Sequence, residues 1–137
     1  MLFLDNEIVG NWVARRTDVV FNPNNSTSIG WLDKEGNLIA GVLYENYTKT
    51  SIMAHIAIDA PVGKKFFYTI HHYPFIQLGV LKVIGQVKSN NEEALRLDKK
   101  LGFIEEARLK DIYPDADLIF LTLSKENCKF LGERYGR

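Results

Sequence analysis

Asn90-Asn91-Glu92-Glu93-Ala94-Leu95-Arg96-Leu97-Asp98-Lys99-Lys100-Leu101-Gly102-Phe103 is the stretch on which the fold turns. Ala94, Leu97 and Leu101 recur at helical spacing. Ser89 with Glu92 has the spacing of a capping box, Asn90 is an alternative cap, and Asn91 too can help start the helix. Acids occupy the first turn, and Lys99 and Lys100 the last, as the helix dipole prefers. Gly102 stops the helix, and Phe103 to Leu109 follows as a strand. A helix that runs through glycine straight into a strand belongs to an α/β arrangement.

Working back from this helix, Val80 to Val87 is a strand rich in β-branched residues. Lys64 to Leu78 reads as a helix with Phe66, Phe67, Ile70 and Tyr73 inward, kinked by Pro74 and stopped by Gly79. Ser51 to Asp59 alternates as a strand. Thr27 to Leu32 and Leu38 to Tyr47 flank the hairpin turn Asp33–Asn37. Asp5 caps a first helix to Arg16, with Ile8, Val9, Trp12 and Val13 on one face. Forward of the stretch, Leu118 to Leu123 is a strand. Ser124 to Leu131 reads as a short helix before a frayed tail. The order α, β, β, β, α, β, α, β, β implies a mixed sheet with helices on both faces. The strands 51–59 and 80–87 should run parallel, because a helix joins them.

The 137 residues favour one domain spanning 1–137. Seventeen basic and seventeen acidic residues give no net charge, which argues against a nucleic-acid binder. No apolar run approaches the ~20 residues of a membrane span, and no signal peptide is evident at the N-terminus. Cys128 is the single cysteine, so no internal disulfide forms and a reducing cytoplasm suits the chain. The sequons at Asn25 and Asn46 carry no weight without secretion. No His, Cys and carboxylate set has metal-ligand spacing.

Asn91, Ala94, Leu97, Lys100, Leu101, Gly102 and Phe103 stand at the spacing of a motif of the GNAT acyl-CoA N-acyltransferases. From Leu38 to Leu131 the chain resembles that family. His72–Gly79, Leu101-Gly102-Phe103 and Pro114-x-x-Asp117-Leu118 are similar to small phage- and prophage-associated members. The resemblance implies that acetyl-CoA lies in a V-shaped gap between the strands 51–59 and 80–87, along the backbone of Ile56, Ala57 and Ile58. It implies that Asn91 contacts the pantetheine arm and that the pyrophosphate sits on the helix starting at Gly63, Lys64 and Lys65. A helix N-terminus favours an anion there. The turn Pro61–Phe66 departs from the family's Arg/Gln-x-x-Gly-x-Gly/Ala, keeping only Gly63 as a glycine. Asp98 falls where many members carry a tyrosine that protonates the departing thiolate. An aspartate, with an ordinary pKa near ~4, donates a proton only if burial raises it strongly. The reading expects Asp98 on the helix surface instead.

The expected activity is transfer of an acetyl group from acetyl-CoA to a primary amine, by direct attack. The candidate general bases are His55, whose ordinary pKa suits the task, and Glu45, acting through a water. His71 and His72 fall on the kinked helix, Tyr113 beside the acceptor pocket, and Cys128 reads as an incidental thiol. The competing reading is a non-catalytic CoA-binding or phage assembly module. Sheet edges in such folds often pair subunits, which allows a homodimer that nothing in the sequence fixes.

Overall fold

The computed structural model describes residues 1–136. One seven-stranded sheet runs in the order β1-β2-β3-β4-β5-β7-β6. Its strands are β1 (Leu2–Phe3), β2 (Ser26–Leu32), β3 (Leu38–Glu45), β4 (Ser51–Ile58), β5 (Lys82–Lys88), β6 (Ile104–Leu109) and β7 (Leu118–Ser124). Every neighbouring pair is antiparallel except β4–β5. The helices are α1 (Asn6–Thr17), α2 (Lys64–His72), α3 (Glu92–Lys100) and α4 (Glu133–Gly136). The expected mixed sheet and its parallel pair are therefore present. β1, too short to carry a periodicity, is an addition at the sheet's edge.

Both crossovers from the parallel pair, β4–α2–β5 and β5–α3–β6, step the same way along the sheet. Right-handed connections then put α2 and α3 on one face. That face holds the larger core: Val42, Tyr44, Ile52, Val83 and Leu121 of the sheet under Phe66, Ile70, Phe75, Leu101 and Phe103. α1 covers the other face with Val9, Trp12, Val13 and Ala14 against Leu43 and Ala57. Asp5 caps α1 by accepting from the Ile8 amide at 3.0 Å. Ile8 itself is exposed, not inward: the helix presents Val9, Trp12 and Val13 to the sheet, and Ile8 falls off that stripe.

Four further expectations are corrected. The helix from Lys64 does not simply kink at Pro74. It widens into a π-turn over Tyr73–Gln77, closed by the Leu78 amide donating to the Tyr73 carbonyl. α3 is capped neither by Ser89 nor by Asn90 but by Asn91, whose side chain accepts from the Ala94 amide at 3.1 Å. Ser124 to Leu131 forms two 3-10 turns, Lys125–Asn127 and Lys129–Leu131. The tail gathers into α4, whose Tyr135 ring packs edge-on against Phe130 at 5.2 Å; Arg137 lies outside the described residues. Gly102 takes φ 101°, a conformation that side-chain-bearing residues avoid, and so turns α3 into β6.

Candidate active site

β4 and β5 pair only at Ser51–Lys82, Ile52–Val83 and Met53–Ile84. Beyond that point they part, although β4 runs on to Ile58 and β5 to Lys88. The result is a groove of about 500 Å³ through the middle of the sheet. It narrows to an apex at Ala54 and Gly85. It widens toward the carboxyl ends of both strands, where α2 and α3 begin. Open α/β sheets bind ligands at such strand ends.

The parting leaves one edge of β4 without a partner strand. The Asp59 amide donates to the Ile39 carbonyl of the β3 side. By alternation the backbone groups of Ala54, Ile56 and Ile58 turn toward the groove, while those of His55 and Ala57 turn toward β3. Of the three strand residues named from the sequence, Ile56 and Ile58 thus offer backbone polar groups to a ligand, and Ala57 does not. All three line the groove.

His55 and Glu45 come together on the α1 face of the sheet. They stand ten residues apart in sequence, on adjacent antiparallel strands, with Nε2 of His55 3.2 Å from Oε1 of Glu45. The imidazole is buried and the carboxylate partly exposed. His55 lines the groove. His71 is a different matter. Its Nδ1 lies 2.6 Å from the Phe67 carbonyl and its ring stacks on Phe130. Burial holds its pKa down at about 4, so it packs as a neutral ring. His72 stacks on Tyr68.

Asn91 lines the groove as well as capping α3. Gly63, Lys64 and Lys65 stand at the start of α2, outside the groove's lining, all three exposed. No side chain caps that helix, and a Cβ at Gly63 would meet nothing within 4 Å. The Phe66 amide of that first turn donates back to the Gly63 carbonyl at 3.2 Å.

Asp98 is not a surface residue. It is 9% exposed, lies on the inner stripe of α3 with Ala94, Leu97 and Leu101, and lines the groove. Its Oδ2 would stand 3.0 Å from a Cβ on Gly85, so any side chain on the strand there would push the carboxylate aside. It makes no side-chain hydrogen bond or ion pair among the described residues. Burial raises its pKa to about 7. The i, i+4 and i, i+3 spacing to Ala94 and Leu101 was the signal available in the sequence. The sequence reading also passed over Arg16. It ion-pairs with Asp59 at 3.0 Å across 43 positions, lies 3.8 Å over the Trp12 ring and reaches the groove from α1. Tyr113 does line the groove, with the Lys88 ammonium 4.4 Å over its ring. Cys128 lies outside it, its thiol pKa raised by burial. No cluster of metal-ligating residues occurs among the described residues. No helix there is long and apolar enough to cross a membrane.

No protein-family model matches the chain, and no curated protein matches it. Solved structures do. A chimera of the spermidine N-acetyltransferase SpeG from Vibrio cholerae and hSSAT superposes with a TM-score of 0.68 at 19% identity, over 96% of this chain and 98% of that one. A SpeG point mutant from the same organism is 27% identical with a TM-score of 0.61, over 81% of this chain and 70% of its own. Campylobacter jejuni N-acetyltransferase PseH, solved in complex with acetyl coenzyme A, gives 0.60 at 20% identity, over 74% and 69%. With its split parallel pair between antiparallel arms and helices at the mouth of the split, this chain has the GNAT acetyltransferase fold.

Proposed function

We propose that the protein is an N-acyltransferase that moves an acetyl group from acetyl-CoA to a primary amine by direct attack. The observation that carries this reading is the groove where β4 and β5 part. It combines unpaired backbone groups for a pantetheine arm with a histidine–carboxylate pair on one side. In this reading the pyrophosphate rests on the open first turn of α2 at Gly63, with Lys64 and Lys65 as point charges. Asn91 and the backbone of Ile56 and Ile58 hold the arm.

His55, oriented by Glu45, takes the proton that the amine loses as the C–N bond forms. In this reading a backbone amide of the β4 edge, such as that of Ile56, donates to the carbonyl oxygen as negative charge develops on it. Much of the rate would come from holding amine and thioester together in one gap. The groove's acids Asp18, Asp59 and Glu93 outnumber its cations Arg16 and Lys88, which favours a cationic acceptor. Polyamines, the substrate class in the names of the SpeG structures, are the first class to try. The exposed edges of the sheet leave room for a homodimer or larger assembly, and a SpeG structure is dodecameric. A reducing, cytoplasmic setting suits the single thiol.

The departure at Pro61–Phe66 favours the second reading, a GNAT-like module that binds without catalysis, of the kind carried by phage. Isothermal titration with acetyl-CoA decides first: binding is expected, and none at millimolar ligand sinks the enzyme reading. Gly63→Glu, which puts a carboxylate where the pyrophosphate should lie, should weaken binding at least about tenfold. Unchanged affinity would remove the pyrophosphate from that turn. If acetyl-CoA binds but a panel of amines including spermidine releases no CoA thiol, the binding-module reading gains.

A further inference from the structure

We propose that β6 is a docking edge for a second copy of this chain. Two β6 strands pair antiparallel about a two-fold axis at Ala107, joining two seven-stranded sheets into one. The inference does not rest on the acyltransferase reading.

β6 ends the sheet and has β7 on one side only. It is the one strand among the described residues whose every side chain is exposed. Ile104 is 65% exposed and Leu109 43%. An open edge is a template for another strand, and natural edges use bulges and charges to turn strands away. β6 carries both, but in an arrangement that matches its own copy.

The register along β7 shows the match. Ile104 stands opposite Thr122, Glu105 opposite Leu121, Ala107 opposite Phe120, Arg108 opposite Ile119 and Leu109 opposite Leu118. Glu106 is the bulged residue. Its Oε1 accepts from the Thr122 hydroxyl and from the Lys82 ammonium, both at 2.7 Å, so its own chain holds it. Five ladder positions remain, with Ala107 at their centre. Leu121 and Ile119 belong to the core beneath α2 and α3. Directly opposed residues share a face, so Glu105 and Arg108 lie on the α3 side of the sheet. Ile104, Ala107 and Leu109 lie on the other side.

Two identical antiparallel strands related by a two-fold axis must centre on one residue, because only then do opposed side chains share a face. Centring on Ala107 sets Arg108 against the partner's Glu105 and Leu109 against the partner's Ile104, each contact made twice. The smallest side chain stands at the axis. Arg108 already joins Glu105 at 3.0 Å and Asp117 at 3.2 Å within its own chain. Across the seam its fork meets a further carboxylate on the same face. Without the bulge the six residues of β6 would have no central position. Ile104 and Leu109 would then fall on opposite faces and could not meet. β6 leads into the segment that brings Tyr113 to the groove, so the seam lies beside one groove wall in each copy.

Sedimentation of the native protein over rising concentration should show a monomer–dimer equilibrium, and a seam this small should dissociate at roughly 1–100 µM. Arg108→Glu sets acid against acid at both ends of the seam, and Glu105→Arg sets base against base. Each variant alone should lose at least about tenfold in dimer affinity. Mixed together, the two variants should pair with each other, because every opposed charge is then complementary. Ala107→Cys in a Cys128→Ser background should oxidise to a covalent dimer. Ile104→Cys in that background should not, since its two copies stand at opposite ends of the seam. A native protein that stays monomeric at millimolar concentration overturns the inference. So does a dimer that both charge variants leave intact, a mixture that fails to associate, or a crosslink at Ile104→Cys as ready as that at Ala107→Cys. None of these outcomes bears on the acyltransferase reading, which acetyl-CoA binding tests separately.

Discussion

Two buried titratable residues pull the stability of this molecule in opposite directions. Asp98 keeps its proton up to about pH 7 in the folded chain, against an ordinary value of 3.8. Between those values the folded state binds the extra proton, so stability falls as pH rises through the window. His71 is held near 4 instead of 6.5. The unfolded chain takes up that proton first, so stability falls as pH drops from 6.5 toward 4. Over roughly pH 4 to 6.5 the two effects oppose each other. Asp98→Asn removes one of them. Urea unfolding should then show the variant gaining a few kcal/mol from pH 4 to 7, with a smaller change in the native protein. At pH 8 the variant should be the more stable by roughly 2–4 kcal/mol. Parallel pH curves for the two proteins would contradict the burial of Asp98. The stripe Ala94, Leu97, Leu101 was legible in the sequence, and Asp98 lies on it. The composition of that stripe did not say whether a charged member would snorkel out or stay beneath the helix. The strand lying below, with Gly85 at the point of contact, decided it.

The passage from α2 into the π-turn shows how one element's defect is met by another. Proline at 74 has no amide hydrogen, and its ring would clash with the carbonyl four residues back, on Ile70. That carbonyl loses its helical donor. The hydroxyl of Tyr44, fully buried on β3, donates to the Ile70 carbonyl in its place. The helix widens by one residue, and the Leu78 amide reaches Tyr73. Tyr44→Phe should therefore cost about 1–3 kcal/mol by leaving a buried carbonyl unpaired. The loss should shrink in a Pro74→Ala background, where residue 74 can supply the missing donor. A cost independent of residue 74, measured by a double-mutant cycle, would refute the substitution of one donor for another. Pro74 announced a disruption in the sequence. Its form was not legible, because the compensating tyrosine stands 26 positions from Ile70.

At the scale of the whole molecule, the sheet is held across its middle by three residue pairs between β4 and β5 and by the helices that span them. A ligand filling the groove should bind the folded chain alone. Acetyl-CoA at 100 times its Kd should then add about 2.7 kcal/mol. Amide exchange locates the effect. Ile56 and Ile58 should exchange faster than Ala57 in the free protein and become protected on binding, while Ala57 changes little. Uniform protection along β4 would mean that the strand's edge does not face the ligand. Taken by itself, the sequence determined the order of helices and strands from α1 to β7, the parallel pair and the helix stop at Gly102. These follow from hydrophobic period, capping residues and connection length, all of which act over a few neighbouring positions. Only the tertiary structure decided which polar groups meet. Glu45 reaches His55 because their strands are adjacent, Arg16 finds Asp59 across the end of α1, and Asp98 loses its water under α3. Burial and electrostatics sum over every element packed around a group, and that sum exists only once the chain has closed on itself.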